Sequence, residues 1–441
     1  MKIVFINLPS PWLINDKTYL ALGPLYIAAY LEKHNFKVEF SDLASKSEDQ
    51  WNIPDDADIY ALGATTPQIP IAIKISRKIK KLNPKALAVI GGIHATVLPE
   101  ETLLTSDFDV CVIGEGEETM HEIARKEPLS SIKGIAYKKD GKVIMNERRP
   151  LIEDLDSIPY PAYHLVNILE YAPAGYKMTG SVISSRGCPF NCIFCAQKEI
   201  TKKRVRYRSV ENVIGELKFL KEKYGLDTFC FEDETFTVSR KRLIDLCKEI
   251  KKLDIHFKCS GRVDRVDYEL LKIMKDSGCF EIGFGIESGS QRVLDIIGKG
   301  TTVELNRKAI LAAKKAGLRT MAFLMAGSPT EDDDSIEATI RFLEEVQPDA
   351  CSVGMFTPYP GTDVYNDPKK YNFSFIKPED YNKYQIFNRE GTGISLHTNR
   401  EKIERLHRKL FEHVRDKSSF FRKDKTYEEL LKESKMVKGE T

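Results

Sequence analysis

Three cysteines close together in the chain have the spacing that most clearly indicates chemistry. They lie in the segment Ser185-Arg186-Gly187-Cys188-Pro189-Phe190-Asn191-Cys192-Ile193-Phe194-Cys195, with the pattern C-x3-C-x2-C. Three soft thiolates on one short loop can bind three irons of a cubane iron–sulfur cluster and leave the fourth iron open. An open iron can bind a substrate or cosubstrate, so such a cluster would take part in catalysis rather than only carry electrons.

Two other interpretations of these cysteines are open. They could be chance cysteines in a buried loop, or part of a zinc site that lacks its fourth ligand. Zinc sites usually combine two pairs of ligands, and no C-x2-C or H-x3-H pair follows at the usual distance. The spacing therefore favours the iron–sulfur cluster.

The composition is that of an ordinary soluble protein with two or three domains. The 441 residues are 42% hydrophobic, and the net charge of +2 gives no case for nucleic acid or an anionic membrane as a partner. No apolar run is long enough to span a membrane, and Met1–Asn7 is too short for a signal peptide. Six further cysteines lie mostly in apolar runs and are expected to be reduced core thiols: Cys111, Cys230, Cys247, Cys259, Cys279 and Cys351. We therefore expect a cytoplasmic protein.

In the first part of the chain, short apolar runs alternate with amphipathic stretches. Strands are expected over Lys2–Asn7, Lys37–Phe40, Ile59–Gly63, Ala86–Gly91 and Val110–Gly114, and helices over Pro24–His34 and Ile69–Leu82. Buried strands separated by helices are typical of an α/β fold with a doubly wound parallel sheet. Ligands of such sheets bind at the carboxyl ends of the strands.

Glycines and small polar residues follow several of these strands. The segments are Asn7-Leu8-Pro9-Ser10, Gly63-Ala64-Thr65-Thr66, Gly91-Gly92-Ile93-His94 and Gly114-Glu115-Gly116-Glu117. Glycines at strand ends let a ligand approach the backbone, although they can equally serve tight turns. No G-x-G-x-x-G opens a helix after the first strand, so the pattern does not indicate a dinucleotide site.

A second alternation of strands and helices follows the proline-containing stretch around Ile158–Tyr163. Strands are expected over Gly180–Ser184, Thr228–Glu232, Phe257–Ser260, Glu281–Gly285, Thr320–Ala326 and Ala350–Thr357, with a helix over Val210–Lys223 among others. The predicted division of the chain is a first domain over 1–150, a linker over 151–178, a second domain over 179–371 and a helical C-terminal region over 372–441.

The cysteine loop resembles the signature of the radical S-adenosylmethionine (SAM) enzymes. The resemblance implies a partial (β/α)6 barrel, with Cys188, Cys192 and Cys195 as catalytic ligands of a 4Fe-4S cluster whose open iron binds SAM. It also implies that Phe194 lies near the adenine, although Phe194 could instead be a core aromatic.

Other segments of the second half resemble the SAM contacts of that family. Acidic residues of Phe231-Glu232-Asp233-Glu234 would bind the SAM amine, with Asp233 and Glu234 as the main candidates; a solvated acidic turn is the alternative. The further SAM contacts implied by the resemblance are Ser260, Arg262 for the carboxylate, Glu287 for the ribose hydroxyls, and Tyr359, which could equally be a core residue.

The glycine-bearing segments of the first half resemble the cobalamin-binding domain that precedes many radical SAM domains. The resemblance implies cobalamin contacts by Pro9, Thr65, Thr66, Gly91, Gly92, His94, Gly114, Glu115 and Gly116. The chain has no D-x-H-x-x-G motif, so no histidine is expected on cobalt. His94 would then lie near the corrin or nucleotide tail, or cap a helix.

This pair of domains is similar to the class B radical SAM methyltransferases. The resemblance implies that one SAM methylates cobalamin, that a second SAM yields a 5′-deoxyadenosyl radical, and that an unactivated substrate carbon is methylated. A cobalamin-binding radical SAM cyclase or ring-rearranging enzyme is the alternative, and a sensor or electron carrier without turnover is a third hypothesis. The expected partners are a low-potential electron donor, such as ferredoxin or flavodoxin, and a substrate. The identity of the substrate is open among a protein side chain, a peptide, a lipid and a small molecule.

A basic run follows the cysteine loop. It contains Lys198, Lys202, Lys203, Arg204, Arg206 and Arg208. The run could bind an acidic electron donor or an anionic substrate, but a solvated surface is the expected explanation. Tyr207 is the one aromatic within the run, so the run lacks the repeated aromatics of a single-strand nucleic-acid site.

Overall fold

The structure is a computed structural model, and it describes residues 1–10, 13, 15–171, 179–378, 380–384 and 394–415. The described chain forms two compact units. The first contains residues 1–171, 196–206 and 380–382, and the second contains most of the remainder. Within the described residues, no helix is both long enough and apolar enough to cross a membrane.

The first unit is built on a seven-stranded sheet. Its strands are β1 (Lys2–Asn7), β2 (Lys37–Asp42), β3 (Ile59–Gly63), β4 (Leu87–Gly91), β5 (Val110–Val112), β6 (Ile135–Lys139) and β7 (Lys142–Met145). Its helices are α1 (Leu22–Lys33), α2 (Ile69–Leu82), α3 (Ile93–Val97), α4 (Pro99–Leu104), α5 (Glu117–Ala124) and α6 (Lys198–Thr201). The strand order is β2-β1-β3-β4-β5-β6-β7, and β1 to β5 are parallel.

Apolar clusters cover both faces of this sheet. One contains Ile69 and Ile75 of α2, and the other contains Ala28 of α1 and Ile123 of α5. Strands that are buried on both faces read as continuous apolar runs, which is the pattern seen in the sequence. The predicted doubly wound sheet is therefore confirmed.

Two strands of the first unit were missed by the sequence analysis. β6 and β7 form an antiparallel hairpin at the edge of the sheet. The turn residues Asp140 and Gly141 both have positive φ, of 51° and 74°. An Asp-Gly pair between two short strands is a strong local hairpin signal, so this hairpin was accessible from the sequence.

The second unit contains a six-stranded parallel sheet. The strands after the first unit are β8 (Thr179–Val182), β9 (Ser185–Arg186), β10 (Arg206–Tyr207), β11 (Thr228–Phe231), β12 (His256–Gly261), β13 (Cys279–Glu287), β14 (Arg319–Ala326) and β15 (Ala350–Met355). The helices are α7 (Val210–Tyr224), α8 (Arg240–Ile250), α9 (Tyr268–Asp276), α10 (Gln291–Ile296), α11 (Val303–Lys315), α12 (Asp333–Val346), α13 (Asp363–Asn366) and α14 (Arg400–Val414). The sheet order is β15-β14-β13-β12-β11-β8.

Consecutive strands of this sheet are neighbours, and long helices such as α7, α8, α11 and α12 connect them. This is the arrangement of a partial (β/α)6 barrel, as the sequence predicted. The helices have clear local signals: Ser209 caps α7 by accepting a hydrogen bond from the Asn212 amide, and Gly225 ends the helix with φ 69°. The strand ends that carry candidate residues therefore all lie at one end of the sheet.

The structure describes only parts of the predicted linker and of the predicted C-terminal region. Residues 151–171 belong to the first compact unit, and 172–178 lie outside the described residues. In the predicted helical region after 371, the structure describes one long helix, α14, which packs against α12 and β15. Residues 416–441 lie outside the described part of the chain.

Two buried histidines in the C-terminal segment should make the second unit sensitive to acid. Burial lowers the pKa of His397 and of His407 to about 4. The unfolded chain binds protons near the ordinary value of 6.5, so the stability contribution is present above that value and is lost as pH falls towards 4.

A single substitution isolates this effect. In His397→Gln, the fall in melting temperature between about pH 7 and about pH 5 should be smaller than in the natural protein, because a neutral amide has no proton to gain. The His397 ring bonds the Phe356 carbonyl at 3.0 Å, and the glutamine amide can donate there. Thermal unfolding at both pH values measures this, with the exposed His256 replaced by Gln as control. An unchanged pH dependence in His397→Gln would contradict the expectation.

Candidate functional site

The cysteine loop follows β8 and β9 at the carboxyl end of the second sheet. Cys188, Cys192 and Cys195 are free thiols with partly exposed side chains, whereas the other six cysteines are buried and also free. The Cys195 amide donates to the Cys192 carbonyl at 3.2 Å, which curls the end of the loop. Three accessible thiols on one turn are available as ligands.

The loop is fixed at its centre by Ile193. Its amide donates to the Ile297 carbonyl at 3.0 Å, and its carbonyl accepts from the Val364 amide at 3.3 Å. The side chain packs into an apolar cluster with Phe356. The cysteines therefore flank an anchored residue, which limits how far the loop can open.

Gly187 shapes the start of the loop. Its φ is 106°, in the region that favours glycine, and its amide donates to Glu234 Oε2 at 3.0 Å. Cys188 follows directly, with its Sγ 3.6 Å from Thr235 Oγ1. The acidic segment after β11 thus lies beside the first cysteine.

The three acidic residues after β11 have different surroundings. Asp233, 4% exposed, accepts hydrogen bonds from the Ser184 amide and hydroxyl at 2.7 Å and from the Ser185 hydroxyl. Burial raises the pKa of Asp233 and of Glu232, and their hydrogen bonds to serines oppose that rise. Asp233 is therefore committed to holding the segment before the cysteine loop, and Glu234 is the acidic residue placed at the loop itself.

Arg262, expected to pair with a carboxylate, is engaged within the protein. Its guanidinium donates to Asp264 Oδ1 at 2.9 Å and to the Lys299 carbonyl at 2.8 Å. It also lies 3.5 Å from the ring centre of Phe190 in the cysteine loop, as a cation–π contact. Arg262 thus supports the loop through Phe190.

Ser260 and Glu287 end the neighbouring strands β12 and β13. An added Cβ on Gly283 would lie 2.6 Å from the Phe323 ring and 3.5 Å from Ser260 Oγ, so the glycine makes room for that ring beside Ser260. Glu287 has φ 62°, and its Oε1 accepts from Lys299 Nζ at 2.7 Å. Burial raises the pKa of Cys192, and the charges of Lys299 and Arg262 oppose that rise.

The two predicted aromatic contacts differ in placement. Phe194 packs on the apolar cluster, with its ring centre 6.3 Å from that of Phe356. Tyr359 follows β15, two strands away from β13, and its hydroxyl donates to the Tyr384 carbonyl at 3.1 Å. Burial raises the pKa of Tyr359. Phe194 is thus part of the loop's own support, and Tyr359 is tied to the C-terminal segment.

The donor atoms of the cysteine loop suit an iron–sulfur cluster, because all three are partly exposed thiol sulfurs. Among the described residues, no three His, Cys, Asp or Glu side chains converge as a site for one metal ion. Around a single tetrahedral zinc the sulfurs would stand about 3.8 Å apart. In a cubane each thiolate binds a different iron, which requires wider spacing, and nearby cations offset the negative charge. The cysteine loop, with Lys299 and Arg262 behind it, fits such a group.

In the first unit, the predicted residues lie at the ends of neighbouring strands. Pro9 follows β1, Thr65 and Thr66 follow β3, and Gly91, Gly92 and His94 follow β4. Gln68 links two of these ends, because its Oε1 accepts from the Thr65 amide at 3.0 Å and its Nε2 donates to Ser10 Oγ at 3.2 Å. In the order β2-β1-β3-β4-β5, the boundary between β1 and β3 is the switch point where ligands bind.

His94 is buried and neutral. Burial lowers its pKa to about 4, and its Nδ1 lies 3.2 Å from Thr66 Oγ1. The Nε2 atom is buried without a hydrogen-bond partner among the described residues. Tyr381, from the C-terminal region, packs edge-on against the ring at 4.7 Å between centres. An orphaned ring nitrogen at this strand end fits a polar ligand such as a corrin amide.

In the segment after β5, Gly114 leaves space for a ligand and Glu115 is engaged in contacts within the protein. Gly114 has φ 86°, and an added Cβ would meet no described atom within 4 Å, whereas Gly116 is the N-cap residue of α5. Both carboxylate oxygens of Glu115 accept from Arg206, at 2.8 and 2.9 Å. The Glu115 carboxylate is thus part of an internal ion pair, and Gly114 leaves space for a ligand.

Two arginines of the basic run form ion pairs inside the protein. Arg206 pairs with Glu115 and Arg208 with Glu216, all four side chains being nearly buried, while Arg204 makes an exposed pair with Glu153. The expected solvated surface holds for Lys202, Lys203 and Arg204, which are exposed, but not for Arg206 and Arg208, because consecutive charges carry no signal for distant partners. The same lack of a local signal left Lys299 and Tyr381 unnoticed.

The buried Arg206 pair should matter for stability. In Arg206→Met the Glu115 carboxylate stays buried without its partner, and the free energy of unfolding of the first unit should fall by about 3–5 kcal/mol. The buried Trp51 belongs to the first unit, so fluorescence-detected urea unfolding reports this unit. In the exposed control Arg204→Met the loss should stay below about 1 kcal/mol. Equal losses in the two variants would contradict this assignment.

Comparison with known proteins agrees with both halves of the chain. The family model of the B12 binding domain matches residues 17–124, and that of the radical SAM superfamily matches 182–343. An uncharacterized methyltransferase of Pyrococcus horikoshii is 37% identical over 384 residues, covering 83% of this chain and 82% of that protein. The anaerobic magnesium-protoporphyrin IX monomethyl ester cyclase of Cereibacter sphaeroides is 30% identical over 412 residues, covering 88% of this chain and 66% of that protein.

Solved structures share the fold. TsrM from Kitasatospora setae, a radical SAM methyltransferase with cobalamin and an iron–sulfur cluster bound, superposes with a TM-score of 0.68 at 16% identity, over 83% of this chain and 78% of that one. The cobalamin-dependent radical SAM enzyme OxsB gives a TM-score of 0.69 at 20% identity, over 87% and 63%. The chain therefore belongs to the cobalamin-dependent radical SAM methyltransferase family. Its cofactors are accordingly a 4Fe-4S cluster, SAM and cobalamin.

Proposed function

We propose that the protein transfers a methyl group to an unactivated carbon of its substrate. The observation that carries the proposal is the occurrence of the cysteine loop and the glycine-bearing strand ends in one chain, which is 37% identical to an uncharacterized methyltransferase. When bound, the cluster, SAM and cobalamin supply a radical that removes hydrogen and a methyl group to replace it. The protein contributes binding, orientation and the exclusion of water.

In the second unit, Cys188, Cys192 and Cys195 would hold the cluster. Glu234 is the candidate for the SAM amine, because its carboxylate lies at the first loop residue while Asp233 is used internally. Glu287 is the candidate for the ribose hydroxyls, with Ser260, Phe194 and Tyr359 as further contacts. Arg262 would support the cysteine loop from behind rather than bind SAM directly.

In the first unit, cobalamin would lie over the ends of β1, β3, β4 and β5. Its contacts would be Pro9, Thr65, Thr66, His94 and the backbone at Gly91, Gly92, Gly114 and Gly116. The orphaned His94 Nε2 and the open space at Gly114 support this placement. Glu115 would act by anchoring the segment through Arg206.

A reductant must supply the low-potential electron, and we propose ferredoxin or flavodoxin in the cytoplasm. The nine cysteines are all free thiols, which suits a reducing compartment. No nucleic acid is proposed as a substrate, since the buried arginines of the basic run are paired internally.

A cyclase is the second candidate function, because a relative at 30% identity bears that name. The mass of the product separates the two functions. Methylation adds one CH2 and consumes two SAM molecules, whereas cyclisation adds no carbon.

The test is anaerobic incubation of the reconstituted protein with methyl-labelled SAM, a reductant and extract of the source cells. A labelled product together with 5′-deoxyadenosine and S-adenosylhomocysteine is expected. Deoxyadenosine with an unlabelled, dehydrogenated product would favour the cyclase, and no deoxyadenosine at all would contradict both functions.

A further inference from the structure

A buried lysine, which no local sequence pattern marks as functional, lies beside the candidate SAM site. Lys299, in the loop between α10 and α11, is 8% exposed. Its Nζ lies 2.7 Å from Glu287 Oε1, and both side chains are at most a tenth exposed. Burying an ammonium is costly unless a carboxylate pairs with it, so the two residues depend on each other.

The backbone around Lys299 supports the cysteine loop. The Ile297 carbonyl accepts from the Ile193 amide, and the Lys299 carbonyl accepts from Arg262 at 2.8 Å. Between them, Gly298 has φ 64°, and an added Cβ would lie 3.3 Å from the Asn191 carbonyl oxygen. One short segment, 297–299, thus touches the cysteine loop, the Arg262 side chain and Glu287.

Glu287 is held in an uncommon conformation. Its φ of 62° is rare for a non-glycine residue, and such strain persists where the surroundings impose it, often at functional sites. An added Cβ on Gly285 would lie 2.5 Å from both Glu287 Oε1 and Lys299 Nζ. The missing side chain at Gly285 therefore makes room for the ion pair.

The pair leaves one carboxylate oxygen available. Lys299 takes Oε1, and Oε2 makes no hydrogen bond to the residues that the structure describes. An ionised carboxylate accepts hydrogen bonds at both oxygens and donates none, so its free oxygen suits a hydroxyl donor.

We propose that Lys299 is a positioning residue of the SAM site, which holds the Glu287 carboxylate turned so that Oε2 accepts a nucleoside hydroxyl. This inference rests on the proposed contact between Glu287 and SAM. Without the ammonium, the buried carboxylate has no counter-charge to hold it in place, so it turns away and the acceptor is lost.

The test measures SAM binding rather than turnover. Full-length protein is reconstituted anaerobically, its iron is counted, and SAM affinity is measured by equilibrium dialysis together with the electron paramagnetic resonance change that SAM causes in the reduced cluster. Lys299→Met should keep its iron but bind SAM about tenfold more weakly or worse. Lys299→Arg, which keeps the charge, should retain most of the affinity, and the exposed control Lys308→Met should be unchanged.

Glu287→Gln provides the second arm of the test. It leaves Lys299 in place and removes the negative charge of the side chain that pairs with Lys299. It should weaken SAM binding to a similar degree, and Lys299→Met/Glu287→Gln should bind no worse than the weaker single variant. Unchanged SAM affinity in an iron-replete Lys299→Met protein would overturn the proposal, as would additive losses in the double variant. Loss of iron in both Lys299→Met and Lys299→Arg would also overturn it, in favour of a role in folding the cysteine loop. These measurements need no methylated product, so their outcome is independent of whether methyl transfer is found.

Discussion

Replacing Cys188, Cys192 and Cys195 together with alanine should reduce 5′-deoxyadenosine formation to background. The three thiols are the partly exposed cysteines, and they lie on the loop at the carboxyl end of the second sheet. Without these ligands the cluster has no attachment, so SAM cannot be reductively cleaved. Iron content should fall from about four per chain to a trace. Anaerobic product analysis by mass spectrometry and iron determination give the result.

The same triple variant should still bind corrinoid. The cysteines belong to the second compact unit, while the candidate cobalamin residues, including His94 and Gly114, belong to the first. Visible absorption of the retained corrinoid measures this. Cys247→Ala, which removes a buried thiol of α8, serves as a matched control and should keep both iron and deoxyadenosine formation. Loss of corrinoid together with iron would show that the cysteines have a folding role instead.

The parts of the site that sequence alone predicted are those with local signals. The cysteine spacing, the glycines after β4 and β5, and the alternation of apolar runs with amphipathic helices all lie within short windows. Helix α2 was predicted with its observed bounds, Ile69–Leu82, because a strong apolar periodicity begins and ends there. The fold class follows from such patterns, because repeated strand–helix units admit few topologies.

The parts that sequence did not predict depend on pairing between distant residues. Arg262 stands where the sequence resembles a SAM contact of the family. In the folded chain its guanidinium contacts Asp264, the Phe190 ring and the Lys299 carbonyl. Arg206 stands in a basic run and pairs across 91 positions with Glu115. A sequence shows the sign of each charged residue but not the residue that it pairs with. Whether a charged residue contacts a ligand or supports the protein internally can therefore be read only from the folded chain.

The choice among the acidic residues after β11 shows the same limit. Glu232, Asp233 and Glu234 are equivalent in a sequence, but in the folded chain their surroundings separate them. Asp233 is enclosed by serine hydroxyls, whereas Glu234 reaches the Gly187 amide at the start of the cysteine loop. Successive side chains leave the backbone in different directions, so neighbours in sequence can serve different sites.

Gly92→Ala should unfold the candidate cobalamin site. Gly92 has φ 92°, and an added Cβ would lie 2.7 Å from the Ala64 carbonyl oxygen and 2.8 Å from its amide nitrogen. Both clashing atoms are backbone, and the Ala64 amide is bonded to the Gly91 carbonyl at 3.0 Å, so neither can move without breaking the link between the ends of β3 and β4. We expect Gly92→Ala to lose corrinoid binding and to lower the stability of the first unit by more than the about 1–3 kcal/mol that its positive-φ, extended backbone conformation alone costs a non-glycine residue. Tryptophan fluorescence in urea and corrinoid absorption measure the two effects.

Gly114→Ala is the matched control, because it separates backbone strain from steric clash. Its φ of 86° is nearly the same, yet the added Cβ would meet no protein atom within 4 Å. The strain of about 1–3 kcal/mol should therefore appear without a further loss of stability. If cobalamin lies over the end of β5, the new methyl group intrudes on the ligand, so corrinoid should bind more weakly to a protein that is still folded. Full corrinoid binding by Gly114→Ala would place the ligand away from β5, and equal stability of the two variants would contradict the contact between Gly92 and Ala64.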